Sequence, residues 1–226
     1  MTSDKTFVVI PAFNEQARIG NIVRGVLKQG LRVVVVDDGS CDETTSVARS
    51  AGATVLRHSL NRGQGAALQT GISFSLISGA NRIVTFDADG QHSIGDISRL
   101  LDPIYEGTAD VTLGSRFLGE SSSIPLARKI LLRLAVVFTR VVSGARVTDT
   151  HNGLRAFSRR AAERLDIRLD RMAHASEIVD QVHQMGLPYE EVAVEVRYTE
   201  YSMAKGQRTS GAVRVLVDYL FGSLVR

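Results

Sequence analysis

The segment TFDADGQH, residues 85–92, places the carboxylates of Asp87 and Asp89 one residue apart at the end of an apolar run. Two like charges this close repel each other unless water or a cation separates them. Gln91 adds an amide oxygen, and hard divalent cations such as Mg²⁺ and Mn²⁺ prefer oxygen ligands and share their shell with substrate phosphates. The segment therefore predicts a metal site formed by Asp87, Asp89 and Gln91. A solvated turn after a strand is the alternative.

The three candidate ligands are not expected to act equally. Asp89 and Gln91 are the expected direct ligands of the metal. Asp87 is expected to support the nucleotide end or to bind the metal through water. Nothing in this interpretation requires His92, the last residue of the segment.

The segment VVVVDDGS carries a second pair of carboxylates, Asp37 and Asp38, at the end of another apolar run. An acidic side chain at such a strand end accepts hydrogen bonds from a ribose or a base, so we expect Asp37 to contact a nucleoside. Gly39 is expected to form a turn. Ser40 followed by Glu43 has the spacing of a capping box, which predicts a helix that begins at Ser40. Helix capping is also the alternative role for Asp38.

Two further motifs are suited to binding phosphate. In NRGQG, Gly63 and Gly65 precede a predicted helix, where backbone can approach a ligand and the helix N-terminus favours anions. The spacing lacks the complete dinucleotide fingerprint. In LGSRF, Arg116 has a permanent charge and donors that match phosphate oxygens, which makes it a candidate for stabilising a leaving diphosphate. A surface ion pair is the alternative for Arg116.

Two acidic residues in the second half are candidates for a general base. Asp149 in DTHNGLRAF could take a proton or position a neighbouring group, and a turn or helix cap is its alternative role. Glu177 lies on a predicted helix, where most glutamates are simply solvated. His151 is expected to be structural rather than a metal ligand.

The first half of the chain has the alternation of strands and helices that would position these side chains. Segments with apolar residues at 3–4 spacing separate the strands, which predicts a mostly parallel sheet with right-handed crossovers. Ligands of such sheets bind beyond the carboxyl ends of the strands. PAFNE, DDGS, NRGQG, DADGQH and GSRF all follow strands, so we expect them on one edge of the sheet. The predicted strands are Thr6–Ile10, Arg32–Val36, Thr54–Arg57, Arg82–Phe86 and Asp110–Gly114.

The second half has a different pattern. Ile124–Gly144 is predicted to be a very apolar helix with Lys129, Arg133 and Arg140 on one narrow stripe, which would suit an anionic membrane surface. Glu190–Tyr198 alternates like a strand. A polar loop and a C-terminal amphipathic helix are expected after it. We find no domain boundary and expect one domain over residues 1–226.

Composition limits the class of protein. The chain has 226 residues, of which 44% are hydrophobic and 23% charged, as in soluble globular proteins. Its formal net charge of +3 does not suggest a nucleic-acid-binding protein. Cys41 is the single cysteine, the N-terminus lacks a signal-peptide pattern, and no apolar run reaches about 18 residues. These features favour a cytoplasmic protein, with peripheral membrane contact through the basic stripe.

Together these motifs resemble the family 2 glycosyltransferases, and within them the dolichyl- or polyprenyl-phosphate sugar transferases. The matching pieces are VVIPAFNE, VVVVDDGSCDET, NRGQGAALQTG, TFDADGQH, LGSRF, DTHNGLRAF and AKGQ. They extend from about residue 7 to residue 206 in the family's order. The resemblance implies an α/β GT-A fold and inverting transfer from a GDP- or UDP-sugar to a polyprenyl phosphate, with Mg²⁺ or Mn²⁺ as cofactor.

The resemblance also implies roles by position. Residues 1–118 would form the nucleotide-sugar half, and residues 119–226 the acceptor half. Asp87, Asp89 and Gln91 would surround the diphosphate and metal, and Arg116 would face the diphosphate or the acceptor phosphate. The nucleoside pocket would be lined by Pro11, Ala12, Phe13, Glu15 and Asp37. The rest of the donor-binding set would be Gly39, Gly63, Gln64 and Ala88.

Three residues would serve the acceptor side. Asp149 would lie near the reaction centre, and Arg197 and Lys205 would lie in an acceptor loop where basic side chains meet phosphate. A lipid phosphate is already anionic and needs no strong base, whereas a sugar hydroxyl needs a carboxylate such as Asp149 or Glu177 to take its proton.

Three alternatives remain open from the sequence. One is transfer to a hydroxyl of a lipid-linked saccharide, which the loose match of YSMAKGQ to the family's acceptor loop leaves possible. A sugar-phosphate nucleotidyltransferase would require a basic, glycine-rich loop after the first strand, where this chain has PAFNE. A non-catalytic nucleotide-sugar-binding module would be expected to lose an aspartate of DAD, and both are present.

Overall fold

A computed structural model describes residues 5–119, 144–169 and 173–197, together with Arg133 and Val136. Strands and helices alternate through the first half of the chain, as the sequence predicts. The described strands are β1 Thr6–Ala12, β2 Arg32–Asp37, β3 Thr54–Arg57, β4 Arg82–Thr85, β5 Val111–Ser115, β6 Arg155–Ser158 and β7 Tyr189–Ala193. The described helices are α1 Ile19–Leu27, α2 Thr44–Ser50, α3 Gln64–Ile77, α4 Asp96–Glu106, α5 Arg159–Ala162 and α6 Ala173–Gln184.

These strands form one sheet in the order β3-β2-β1-β4-β6-β5-β7. Strands β1 to β4 are mutually parallel, and β7 is parallel to β5. Strand β6 lies antiparallel between β4 and β5, so β5 has the same direction as β4. The prediction of a mostly parallel sheet is therefore confirmed. The sequence analysis missed β6, because its four residues, RAFS, are too few to show a period.

The core lies on both faces of this sheet because side chains alternate along each strand. Val8 and Ile10 of β1 pack on one face with α1, α2 and α4. Phe7 and Val9 pack on the other face with α3, α5 and α6. Strand β2 is buried from Val33 to Val36 on both faces, which is why its sequence is a continuous apolar run.

One predicted helix start is wrong. Helix α2 begins at Thr44 rather than at Ser40, and no side chain caps it. The Ser40 hydroxyl instead accepts a hydrogen bond from the backbone N–H of Asn14, 2.9 Å away. The Glu43 carboxylate accepts a hydrogen bond from the hydroxyl of Ser46. The side chains of Ser40 and Glu43 therefore bond other groups and do not form the predicted capping box.

Most of the other predicted strand boundaries differ from the observed ones by one or two residues. Strand β1 continues through Pro11 and Ala12, because both residues pair with β2. The exception is β7, which ends at Ala193 rather than at the predicted Tyr198. Beyond this strand, Val196 forms an isolated bridge to His92.

Several predictions concern residues outside the described ranges. Within the predicted helix Ile124–Gly144, Arg133 is helical and exposed. Lys129, Arg140, Lys205 and the C-terminal amphipathic helix lie outside the described residues. Among the residues that the structure describes, no helix has the length and apolar character needed to cross a membrane. The division into residues 1–118 and 119–226 stays a prediction.

Candidate active site

The predicted functional motifs lie on one edge of the sheet. The ends of β1, β2, β3, β4 and β5 share this edge because these strands point the same way. Strand β6 runs the opposite way and therefore begins here, with Arg155 paired to Thr85 of β4. The edge thus combines the segments that follow five strands with the loop that leads into β6.

The Asp87 carboxylate is held by side chains from two segments. Its Oδ1 accepts a hydrogen bond from Gln64 Nε2 at the start of α3, 2.8 Å away. Its Oδ2 lies 3.3 Å from Nε2 of His92. Burial alone raises the pKa of this carboxyl, but the hydrogen bond from His92 and nearby positive charges, those of His174 and Arg155 among them, together lower the pKa below its ordinary value. Asp87 is therefore an ionised carboxylate, and its side chain is 24% exposed.

Asp89 has a different environment although it is only two residues away. Its Oδ1 accepts a hydrogen bond from the backbone N–H of Gln91, 2.9 Å away. Burial raises the pKa of the Asp89 carboxyl, and the negative charges of Asp87 and Glu15 add to that shift. Asp89 is thus a carboxylate whose ionised form lacks sufficient positive charge around it. A bound cation would supply that charge.

Arg18, the residue before α1, supports this segment and was missed in the sequence analysis. Its Nη1 donates a hydrogen bond to the backbone carbonyl of Asp89 at 2.8 Å. Gly90 has a φ of +73°, and a Cβ there would lie 2.9 Å from the same Nη1. The sequence has no signal for this contact, because an arginine that precedes an amphipathic helix is usually solvated.

Asp38 organises the NRGQG loop rather than capping α2. Its carboxylate accepts hydrogen bonds from the backbone N–H groups of Arg62 (2.9 Å) and Gly63 (2.7 Å). Nδ1 of His58 lies 2.7 Å from Oδ1 of Asp38. Gly63, with a φ of +96°, directly precedes α3 and so brings Gln64 to the edge. The predicted turn at Gly39 is confirmed by its φ of +75°.

The residues predicted to line a nucleoside pocket cluster at the ends of β1 and β2. Phe13 is 39% exposed, whereas Pro11, Ala12 and Glu15 are buried. Asp37 is fully buried, and its carboxylate accepts hydrogen bonds from the backbone N–H of Ser40 and from the hydroxyl of Thr45. A contact between Asp37 and a nucleoside stays a prediction.

Arg116 and Asp149 form a buried ion pair. Nε of Arg116 lies 2.6 Å from Oδ2 of Asp149, and the two side chains are 6% and 1% exposed. Nη2 of Arg116 also donates to the backbone carbonyl of His151 at 3.2 Å. This buried pairing excludes the surface ion pair considered as an alternative for Arg116. It also makes Asp149 the group that orients the guanidinium.

The loop that carries Asp149 continues to the metal motif. Residues 149–153 begin at the Arg116 pair and end at Gly153, whose carbonyl accepts a hydrogen bond from the Thr85 hydroxyl at 2.7 Å. His151 is held neutral within this loop: burial lowers its pKa to about 4, against the opposing charge of Asp149, and the charges of Arg155 and Arg116 add to the lowering. The predicted structural role of His151 agrees with this environment.

Arg155 is the main charged residue that sequence reasoning missed. It is 3% exposed, and its Nη2 donates to the carbonyls of Thr150 (2.9 Å) and Ala175 (3.2 Å). Burial lowers the pKa of its guanidinium to about 10, while the charges of Asp87 and Asp149 oppose that shift. A buried cation therefore lies within the electrostatic reach of both carboxylates. Its only sequence signal was an arginine inside the quoted DTHNGLRAF motif.

Glu177 and Arg197 do not join the cluster around Asp87 in the same way. Glu177 is 1% exposed, and its carboxylate accepts hydrogen bonds from the backbone N–H groups of Arg168 and Leu169. Arg197 is exposed and pairs with Glu195 at 3.0 Å, although its backbone N–H donates to the carbonyl of Gln91 at 2.9 Å. Their predicted roles as base and acceptor-loop residue remain predictions.

The residues of the DAD segment fit a divalent cation that shares its shell with phosphate. Among the described residues, no three His, Cys, Asp or Glu side chains converge as a ready-made metal cage. Two carboxylates and one amide oxygen are the donor types that Mg²⁺ and Mn²⁺ take when a substrate supplies the other ligands. Burial and the neighbouring charge of Asp87 raise the pKa of Asp89, and a bound cation would oppose both effects.

Comparison with known proteins identifies the family. Residues 7–166 match the family described as glycosyl transferase family 2. The chain belongs to glycosyl transferase family 2. As a member of this family it is an enzyme, a glycosyltransferase that uses a nucleotide-sugar donor. The resemblance inferred from the motifs is thereby confirmed.

Two similar proteins match this glycosyltransferase over nearly their whole length. The uncharacterized protein MJ1222 of Methanocaldococcus jannaschii is 39% identical, with 96% of this chain and 91% of that protein covered. The UDP-N-acetylglucosamine–dolichyl-phosphate N-acetylglucosaminyltransferase of Methanococcus voltae is 32% identical, with 91% of each chain covered.

A solved structure supports the GT-A fold. Glucosyl-3-phosphoglycerate synthase from Mycobacterium tuberculosis, in complex with Mn²⁺, UDP and phosphoglyceric acid, superposes with a TM-score of 0.72. The match covers 96% of this chain and 78% of that one at 19% identity. The predicted fold class is therefore confirmed.

Proposed function

We propose that this glycosyltransferase transfers a sugar, with inversion, from a GDP- or UDP-sugar to a polyprenyl phosphate in a reaction that depends on Mg²⁺ or Mn²⁺. Its similarity to the dolichyl-phosphate N-acetylglucosaminyltransferase supports this acceptor, because the match spans 91% of both chains. The single structural observation that carries the proposal is the edge that joins the DAD carboxylates to the buried Arg116–Asp149 pair.

The donor side of the proposal rests on the ends of β1, β2 and β4. The nucleoside would lie near the exposed ring of Phe13, with its diphosphate directed toward the DAD segment. Asp89 and Gln91 would hold the divalent cation, with Asp87 beside them. The metal, when bound, would stabilise negative charge on the leaving diphosphate, which is worth several kcal/mol in such sites.

Arg116 would act on the same developing charge or on the acceptor phosphate. Its Nε donates a hydrogen bond to the Asp149 carboxylate. This contact fixes the plane of the guanidinium before the substrate binds. A preorganised cation costs little reorganisation at the moment of reaction. Asp149 would therefore serve the reaction by orienting Arg116.

The acceptor side explains why no strong base is needed. A phosphate oxygen is already anionic, so it can attack the anomeric carbon without first losing a proton. The carboxylate of Glu177 is hydrogen-bonded to backbone N–H groups, and that of Asp149 is paired with Arg116. Both arrangements suit an acceptor that needs no proton removed. The glycosyltransferase would reach such lipids at the cytoplasmic face of the membrane.

The proposal is tested with radiolabelled nucleotide sugars. The purified protein is incubated with each labelled GDP- or UDP-sugar, Mn²⁺ and vesicles containing polyprenyl phosphate. We expect one label to become extractable into organic solvent and to be released by mild acid, as a sugar phosphodiester would be. Omission of the metal should abolish transfer.

Two controls separate the alternatives. Vesicles without polyprenyl phosphate should give no lipid-extractable label. Transfer only to vesicles carrying a lipid-linked saccharide would instead support the hydroxyl acceptor. Binding of a nucleotide sugar without transfer to either acceptor would indicate the non-catalytic module.

A further inference from the structure

The Asp87 carboxylate packs directly against a glycine of another loop. A Cβ added to Gly153 would lie 2.5 Å from both Cγ and Oδ1 of Asp87. Real Cβ contacts do not occur at such a distance, and a packed carboxylate cannot yield without changing its rotamer. Gly153 has no positive φ, so the tight contact with Asp87, rather than backbone conformation, is what requires glycine here.

Side chains from two other segments hold the same carboxylate. Gln64 donates to Oδ1 from 2.8 Å, and Nε2 of His92 lies 3.3 Å from Oδ2. Each oxygen therefore has its own donor, and Gly153 closes the remaining side. Together these contacts restrict the orientation of the Asp87 carboxylate.

His92 is itself held firmly in place. Its ring packs edge-on against Phe86, with the ring centroids 5.9 Å apart, and its side chain is 4% exposed. Its backbone forms an isolated bridge with Val196. Nδ1 is buried and has no hydrogen-bond partner, so the Nε2–H tautomer, which donates to Asp87, is the one that the surroundings favour. The ring is therefore positioned as a donor to Asp87.

We propose that Gly153 and His92 are positioning residues that lock the Asp87 carboxylate in one orientation for the nucleotide diphosphate and its divalent cation. The inference rests on the proposed function, because the ligand that Asp87 would meet is the one proposed above. It reverses the sequence-based view in which His92 had no role. It also assigns Gly153, within DTHNGLRAF, to the donor side of the site.

The locking has a chemical consequence. A carboxylate that is fixed in advance loses little conformational entropy when it binds a cation directly. The same holds when it accepts a hydrogen bond from a water molecule that coordinates the cation. Groups that orient metal-binding side chains typically contribute about 10–100-fold to metal affinity. Loosening Asp87 should therefore weaken binding of Mn²⁺ and nucleotide while the protein remains folded.

The test compares substitutions that displace or release Asp87. Gly153→Ala should push the carboxylate aside, and His92→Met should keep the side-chain volume while removing the donor. We expect each to weaken Mn²⁺ binding at least tenfold, measured by the paramagnetic resonance signal of free Mn²⁺, with and without UDP or GDP. His92→Gln can donate from a similar position and should bind within threefold of the wild type.

Gly95→Ala is the matched control. Gly95 has no positive φ, and a Cβ there would lie 3.5 Å from Ser93 Oγ, an ordinary contact. It should leave Mn²⁺ binding and thermal stability unchanged. Wild-type binding of Mn²⁺ by G153A and H92M would overturn the inference while leaving the proposed function intact.

A second readout requires neither metal nor activity. Crystal structures of metal-free G153A and H92M should show the Asp87 carboxylate moved away from Gln64 Nε2, whereas H92Q should retain the contact. An unmoved carboxylate in both variants would contradict the inference. If the wild-type protein bound neither Mn²⁺ nor nucleotide, the proposed function would fail, and these crystal structures would still test the positioning of Asp87.

Discussion

At the scale of single residues, environment distinguishes side chains of the same type. Asp87 and Asp89 are both carboxylates of one short motif, yet the pKa of Asp87 is lowered and that of Asp89 is raised. Burial opposes the charge of both. The hydrogen bond from His92 and the charge of Arg155 offset it at Asp87, whereas the charge of Asp87 itself adds to it at Asp89. Asp89 is therefore the residue that gains most from a cation.

Replacing Asp89 tests the metal proposal. Asp89→Ala should lower transfer from the nucleotide sugar by at least about 100-fold, because charge stabilisation by a metal is worth several kcal/mol. The rate of formation of lipid-linked sugar measures the loss, and a thermal melt should show an intact fold. Asp102→Asn, on the exposed surface of α4, is the control and should have wild-type activity. Near-normal transfer by the Asp89 variant would rule out a metal held there.

Breaking the Arg116–Asp149 pair should destabilise the protein. Asp149→Ala leaves a buried guanidinium without its carboxylate, a change that typically costs about 3–5 kcal/mol. The free energy of unfolding in urea measures this cost. Glu195→Ala removes the partner of the exposed Arg197 and should leave the urea midpoint unchanged. Equal midpoints for the Asp149 variant and the wild type would mean that the pair does not stabilise the fold.

At the scale of elements, the position of α3 against the sheet determines where Gln64 and the NRGQG loop lie. Gly71 in the middle of α3 allows this close approach, because a Cβ there would lie 3.1 Å from Cγ2 of Val36 and 3.3 Å from Cγ2 of Val9. The sequence predicted the helix but gave Gly71 no role. The packing role of a small residue on the buried face of a helix can be identified only when the positions of the neighbouring strands are known.

Gly71→Ala separates packing from helix propensity. Alanine is the better helix former by about 1 kcal/mol, so propensity alone would stabilise the variant. Overpacking against β1 and β2 should reverse the sign and lower the free energy of unfolding by about 1–3 kcal/mol. Ser73→Ala, on a half-buried face of the same helix, should change the free energy of unfolding by less than about 0.5 kcal/mol. A stabilised Gly71 variant would show that α3 can shift away from the sheet.

At the scale of the whole molecule, the loop at 149–153 connects the two parts of the site. It begins at Asp149 with the Arg116 pair beside β5, and it ends at Gly153 against the carboxylate that follows β4. Strand β6 then returns between β4 and β5 and brings Arg155 to the same edge. The proposed donor side and acceptor side therefore share one continuous segment of chain.

The neutral His151 in this loop makes global stability depend on pH. Its pKa is about 4 in the folded protein and 6.5 ordinarily, so between these values the unfolded chain binds a proton that the folded chain does not. Stability should therefore fall as the pH is lowered from 6.5 toward 4, by at most about 3 kcal/mol.

Urea unfolding across this pH range measures the effect of His151. His151→Gln should reduce the dependence of the free energy of unfolding on pH, because the glutamine side chain does not titrate in this range. This dependence is the slope compared below. His183→Gln, at an exposed position of α6, should leave the slope as in the wild type. A wild-type slope in the His151 variant would assign the pH dependence to other groups.

The sequence by itself determined the strands of the first half, the helices that alternate with them and the edge on which the motifs meet. Apolar periods and the direction of parallel strands are local properties, so they can be inferred without coordinates. The family could be inferred as well, because its motifs keep their order along the chain. The Ser40 cap was predicted wrongly for the converse reason: Asn14, which is distant in sequence, uses that hydroxyl.

Only the tertiary structure decided how the charges on that edge are balanced. Arg155 and Gly153 approach Asp87 because an unpredicted strand, β6, runs antiparallel to β4 and brings the loop before it to the carboxylate. No period in the sequence indicates such a contact, since it joins residues more than 60 positions apart whose types are ordinary in any loop or strand. Carboxylates at a strand end can be identified from sequence, but their pKa values and orientation depend on the long-range packing that surrounds them.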